Sequence, residues 1–157
     1  MTVPYLARAA MLAVAVGAVG ASGLHAQPSS STAAVLAVND AFYKALSARD
    51  PVAMAKVWAH ESFVANGSPR STDVAIGWPA VDKTFQGLPA HFQKLEVTPS
   101  DAYAYVNGKT AWVFDKEHAV GTLNNEPIDW TMSSVNVFQK FGAQWLMVAH
   151  HVGAPVK

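Results

Sequence analysis

From Asp129 to the C-terminus the apolar and polar positions alternate in a way that predicts a long β-hairpin turning at Phe141-Gly142. On its first strand, Trp130, Met132, Ser134, Asn136 and Phe138 fall on one face, and Thr131, Ser133, Val135, Val137 and Gln139 on the other. On its second strand, strict alternation puts Trp145, Met147, Ala149 and His151 together, with Leu146, Val148, His150 and Val152 opposite. Neither face is purely polar, so the hairpin should be covered on both sides, or on one side with an oligomer contact on the other.

Upstream, the period is helical. Val35, Val38, Phe42 and Ala45 mark the buried stripe of a first helix that Thr32 could cap and that ends near Arg49. Asp50-Pro51 restarts the helix, with Met54, Val57 and Trp58 inward and a stop near His60. Ser62 to Asn66 reads as a short strand, and Ser71 to Ile76 as loop or weak strand. Gly77 to Gly87 reads as a third helix with Trp78, Val81, Phe85 and Leu88 buried, broken by Gly87 and Pro89. The period then changes to two. A strand from Lys94 to Val106 bends at Pro99-Ser100, turns at Asn107-Gly108, and returns over Thr110 to Gly121; Leu123 to Glu126 turns into the final hairpin. The order α-α-β-α-β-β-β-β implies an α+β fold: a curved antiparallel sheet wrapped around N-terminal helices, enclosing a conical space suited to a small molecule.

Composition and address sharpen this. Arg8, an apolar run from Ala9 to Val19 and small residues up to Ala26 form the pattern of a cleaved secretory leader. The expected mature protein is periplasmic or secreted, with a linker over residues 27–32 and one domain over residues 33–157. Loss of Arg8 leaves a formal charge of −1, which gives no basis for nucleic-acid or membrane binding. There is no cysteine, so a core built from a chain that is 51% hydrophobic, with five tryptophans, must hold the fold without disulfides. No phosphate loop, metal-ligand spacing or nucleophile elbow is present, and no cofactor is expected.

Three segments carry a family resemblance: AFYKALSARDPVAMAKVWAHES (Ala41 to Ser62), GWPAVDKTF (Gly77 to Phe85) and SVNVFQKFGAQWLMVAHHVGAP (Ser134 to Pro155). They resemble the nuclear transport factor 2-like superfamily in its SnoaL-like branch, which includes ketosteroid isomerase-like proteins. The last segment is also similar to the association domain of calcium/calmodulin-dependent kinase II. The resemblance implies the cone-shaped α+β roll. Ketosteroid isomerases place a tyrosine, a carboxylate base and a protonated aspartic acid at positions that fall here on Phe42 (or, one residue on, Tyr43), Asn66 and Asn136. Asn136 could still donate to an oxyanion, but Asn66 cannot abstract a proton, which argues against isomerase chemistry of that type.

The catalytic candidates are His151, which matches the terminal-strand histidine of the SnoaL-like pattern, with Asn136, Asp129 and His118. His118 shares a face with Trp112, Phe114 and Lys116 and could meet His151 or Asp129 across the sheet. The opposite face carries Asp115 and Glu117, whose spacing predicts a solvated edge. Phe42, Trp58, Asn66, Phe85, Trp112, Trp130 and Met132 are the ligand-binding candidates, and no metal site is expected. The expected function is an apolar pocket for a small molecule, with acid–base chemistry of the isomerase, cyclase or lyase class. The alternatives are a non-catalytic binding domain or an oligomerisation domain. The expected partners are a small apolar molecule and a second copy of the chain, through the outer face of the sheet.

Overall fold

The computed structural model describes residues 29–69 and 71–155. The expected leader, residues 1–26, and the first residues of the expected linker lie outside the described residues. The elements are α1 (Ser30–Ala48), α2 (Pro51–Val57), β1 (Ala65–Gly67), β2 (Val74–Ile76), α3 (Trp78–Gln86), α4 (Leu88–His91), β3 (Phe92–Asn107), β4 (Thr110–Leu123), β5 (Glu126–Phe141) and β6 (Gln144–Val152).

The helix boundaries follow their capping chemistry. Ser29, rather than Thr32, caps α1: its hydroxyl accepts from the Thr32 N–H, so Ser30 to Thr32 are already helix and not linker. Arg49 closes α1 in the left-handed conformation (φ 53°), and its guanidinium donates to the Phe92 and Gln93 carbonyls, both at 2.7 Å. This clamp ties the end of α1 to the start of β3. The Asp50 carboxylate accepts from the Val52 and Ala53 N–H groups, with Pro51 opening α2. α2 stops at Val57, earlier than its apolar stripe suggests. Trp58 turns extended and bridges to Met147, and the Ala59 N–H donates to the Met147 carbonyl. His60 lies flat on Trp78, 4.1 Å between ring centroids, with Nε2 2.8 Å from the Ala55 carbonyl.

The six strands form one sheet in the order β2-β1-β6-β5-β4-β3. Every pairing is antiparallel except β1 with β6, which is parallel. The expected bend at Pro99-Ser100 is a register shift between Ser100 and Tyr103, with Asp101 at φ 55°. α1 and α3 lie in the concave face over a core that includes Phe42, Met54, Trp58, Val81, Phe138 and Met147.

Strand phase decides what faces that core. On β4 the inner face carries Ala111, Val113, Asp115, Glu117 and Ala119, while Phe114, Lys116 and His118 are exposed. On β5 the inner face carries Ile128, Met132, Ser134, Asn136 and Phe138, as alternation predicts. On β6 the phase breaks. Val137 pairs with Ala149 but Phe138 pairs with Met147, so Val148 is an extra residue. A bulge of one residue moves every later side chain to the other face. Trp145 and Met147 face inward; beyond the bulge it is His150 and Val152 that are buried, and His151 is exposed. The expectation that His151 shares the inner face with Trp145 is therefore corrected.

Candidate active site

A cavity of about 560 Å³ opens between the inner face of β3–β6, the end of α1, and the α3–α4 corner. Its walls are mainly apolar and include Phe42, Phe85, Leu95, Trp130, Met132 and Val152. The polar side chains on it include Asn66, Thr84, Glu117 and His150. Among the described residues, no lining side chain is a lysine or arginine.

Glu117 and His150 are the visible end of a buried polar network whose remaining members are Asn39, Tyr43, Asp115, Ser134 and Asn136. Asp115, 6% exposed, receives Asn39 Nδ2 at 2.9 Å, the Tyr43 hydroxyl at 2.9 Å and the Ser134 hydroxyl. Because Asp115 demands a donor from Asn39, the amide of Asn39 is oriented with its Oδ1 turned the other way. That oxygen accepts from Asn136 Nδ2 at 2.8 Å, and the same Nδ2 also donates to the Tyr43 oxygen at 3.1 Å. Both hydrogens of Asn136 Nδ2 are thus used. Its Oδ1, 2.6 Å from His150 Nδ1, must accept. His150 consequently carries its proton on Nδ1, and Nε2 is left as an acceptor. A carboxylate on β4 therefore sets the tautomer of a histidine two strands away.

The Tyr43 hydroxyl lies 2.8 Å from Glu117 Oε1 as well as 2.9 Å from Asp115 Oδ1. It has one proton for two carboxyl groups. Burial pushes the Tyr43 hydroxyl well above the usual phenol range, and the charges of Glu117 and Asp115 add to this. Burial likewise drives the Glu117 carboxyl up to about 7; the neighbouring charge of Asp115 reinforces the shift, and the hydrogen bonds from Tyr43 and Ser134 oppose it. Burial presses His150 down to about 3, with His151 contributing, so its ring is neutral at physiological pH. Phe42 packs against that ring at 4.8 Å. Glu117 Oε1 and His150 Nε2 stand 3.9 Å apart, too far for a hydrogen bond, so each can address a third group.

Of the sequence candidates, Phe42, Asn66, Phe85, Trp130 and Met132 line the cavity. Asn136 sits behind it, fully buried in the network. Trp58 is core, filling the space beneath Phe85 at 5.8 Å. Trp112 is on the outer face beside Tyr105, not in the cavity, because β4 turns its aromatics outward and its alanines and valine toward α1. His118 and Asp129 do meet, at 2.8 Å, but on the exposed outer face. His118 pairs in register with Thr131 and His151 with Val135, four residues further along β5, so the two histidines do not come together. Asp115 and Glu117 are not a solvated edge; they are 6% and 3% exposed. Sequence reasoning read Glu117 as a solvated edge, named Tyr43 only as the alternative to Phe42, gave Asn39 and Ser134 no role, and placed His150 on the face opposite His151. The available signal was that Asp115 and Glu117 continue the phase of Ala111 and Val113 and lead into Ala119. Small residues on that face make room for a helix. Among the described residues no group of His, Cys, Asp and Glu could hold a metal ion.

The family model for the SnoaL-like domain matches residues 35–157. The chain belongs to the SnoaL-like domain family. No curated protein matches the sequence. Among solved structures, a protein of Streptomyces avermitilis provisionally named a dehydratase of the nuclear transport factor 2-like family is 22% identical, with a TM-score of 0.74 over 83% of this chain and 99% of that one. A protein of Thiobacillus denitrificans, provisionally named a calcium/calmodulin-dependent kinase type II association domain, is 26% identical, with a TM-score of 0.62 over 78% of this chain and 94% of that one. A provisionally named scytalone dehydratase of Novosphingobium aromaticivorans is 16% identical, with a TM-score of 0.67 over 81% of this chain and 85% of that one. The α+β roll expected from the sequence is the fold these proteins share.

Proposed function

We propose that this SnoaL-like domain binds a small, largely apolar molecule in the cavity and transfers a proton on it through Glu117, as a dehydratase or isomerase does. The observation that carries the reading is the Glu117 carboxyl, buried on a mainly apolar wall that raises its pKa to about 7, and standing 3.9 Å from a neutral histidine whose free nitrogen is fixed as an acceptor. A carboxyl raised toward neutrality can serve both as base and as acid. For a β-hydroxy carbonyl compound, the Glu117 carboxylate takes the α-proton, and the C–O bond to the β-hydroxyl breaks. The same proton returns to the departing oxygen, giving water and an α,β-unsaturated carbonyl. His150 Nε2 accepts a hydrogen bond from a ligand hydroxyl and orients it. Tyr43 holds Glu117 from behind. The provisional names of two structural neighbours point in the same direction.

The test is to incubate the protein with a panel of enolisable ketones and β-hydroxy ketones in D2O and follow deuterium uptake and water loss by mass spectrometry. Wild type should act on at least one compound, at a rate that rises with pH through about 7, and Glu117→Gln should not. If no compound reacts faster than with Glu117→Gln, the catalytic reading fails and binding alone remains.

A second element of the proposal concerns assembly. The outer face carries Tyr103, Tyr105 and Phe114, each more than half exposed, and the register lines them up with Trp112, Val135 and Val137 in two adjacent rows. An apolar strip on a sheet face is suited to cover by the same strip of a second copy, giving a homodimer. Export to the periplasm or beyond remains part of the proposal and rests on the pattern from Arg8 to Ala26 alone.

A further inference from the structure

Three buried side-chain polar atoms have no hydrogen-bond partner among the described residues: Arg49 Nε, Trp58 Nε1 and Asn66 Oδ1. Only Asn66 lines the cavity, and it is 5% exposed. Its orientation is settled by its neighbour. The Thr84 hydroxyl gives its proton to the Val81 carbonyl at 2.7 Å, so toward Asn66 it can only accept. Asn66 Nδ2 therefore donates to Thr84 Oγ1, at 3.1 Å, and the buried Oδ1 is left without a hydrogen-bond partner among the described residues. A buried acceptor without a donor is costly, and the cost is removed when a ligand supplies one.

The strand register extends this observation. Asn66 pairs with His150 across β1 and β6, so the two side chains stand next to one another on the inner face. His150 offers Nε2, also an acceptor, by the hydrogen-bond chain from Asp115 through Asn39 and Asn136. Two neighbouring acceptors, with no lysine or arginine among the described lining residues, disfavour anions and call for hydrogen-bond donors.

We infer that the ligand is an uncharged, largely apolar molecule bearing an alcohol or phenol hydroxyl, and that Asn66 Oδ1 selects it by accepting a hydrogen bond from that hydroxyl. The inference rests on the cavity being a ligand site, as proposed above. It goes further in assigning to Asn66 the choice between a hydroxyl and its ether or carboxylate counterpart. A site built to accept a hydrogen bond discriminates strongly against an analogue that cannot give one.

Matched probes test this: 2-naphthol, 2-methoxynaphthalene, which keeps the oxygen but lacks the donor, and 2-naphthoate. Binding is read by calorimetry and by quenching of tryptophan fluorescence, since Trp130 is in the wall. Wild type should hold 2-naphthol about ten-fold tighter than the methyl ether, with 2-naphthoate weakest. Asn66→Leu should bring the ratio of naphthol to ether close to one; Asn66→Asp, which retains an acceptor, should keep the preference. Equal affinity of wild type for naphthol and ether, or tighter binding of naphthoate, overturns the inference and leaves the cavity reading standing. A ten-fold preference that survives in Asn66→Leu overturns the assignment to Asn66. Failure of all three probes to bind overturns the cavity reading and this inference with it.

Discussion

Replacing Glu117 by glutamine should make the protein more stable, and by an amount that depends on pH in a defined way. Glu117 is 3% exposed and its carboxyl titrates near 7, against 4.5 for an ordinary glutamate. Below about 4.5 the group is protonated in both the folded and unfolded chain, and it contributes no pH dependence. As pH rises from 4.5 toward 7, the unfolded chain releases the proton while the folded chain keeps it. Stability then falls by about 1.4 kcal/mol per pH unit. Above 7 both states are ionised and the loss levels off at about 3 kcal/mol. Glutamine occupies nearly the same volume, still accepts from the Tyr43 hydroxyl, and does not ionise.

The variant minus wild-type difference should therefore be flat below pH 4.5, grow between 4.5 and 7, and hold at about 3 kcal/mol above 7. His150 runs the other way: with a folded pKa of about 3 it contributes stability that is fully present above its ordinary value of 6.5 and lost as pH falls toward 3. In wild type the two effects offset one another between 6.5 and 4.5. In Glu117→Gln the histidine's slope should emerge alone, so the variant loses stability on acidification from pH 6.5 while wild type holds nearly level until about 4.5. Urea denaturation followed by circular dichroism at half-unit steps from pH 4 to 8 measures both curves. A difference that does not change across that range, or that favours wild type at pH 8, refutes the reasoning.

Asn136→Leu removes the group that bonds Asn39, Tyr43 and His150 together, and should cost about 3 kcal/mol in urea denaturation, since several buried partners lose their bonds at once. Gly121→Ala and Gly67→Ala should differ sharply. A Cβ at Gly121 would run into the Lys94 carbonyl, which is backbone and cannot step aside, so a loss of about 3 kcal/mol is expected. A Cβ at Gly67 meets the exposed His151 ring, which can rotate away, and thermal melts should show a loss below about 1 kcal/mol. Phe114→Lys places a charge in the apolar strip of the outer face; under the proposed dimer, sedimentation should report wild type as a dimer and this variant as a monomer.

Much of the fold is legible along the chain because periodicity is local. Asp50-Pro51, Asn107-Gly108 and the alternation from Trp130 to Phe138 each specify their element from neighbouring residues alone, and together they dictate helices followed by a long antiparallel sheet. The inward face of β5, with Met132 and Asn136, follows from that alternation directly. What pattern could not settle is which face of β4 is inside. Trp112 and Phe114 are larger than Ala111 and Val113, yet the small side chains face the core, because α1 must approach the sheet closely there.

The site was decided by tertiary structure for the same kind of reason. Period-two reasoning holds only while two strands stay in step. The single extra residue at Val148 exchanges His150 for His151, and nothing in the local sequence marks it. Asp115 and Glu117 read as surface charges until Asn39 and Tyr43, over seventy residues earlier, arrive to satisfy them. Local preferences determined the helices, turns and strands of this protein. Which polar residues became a buried, hydrogen-bonded cluster depended on contacts between distant segments, since a carboxyl group's pKa is a property of its surroundings and not of its place in the chain.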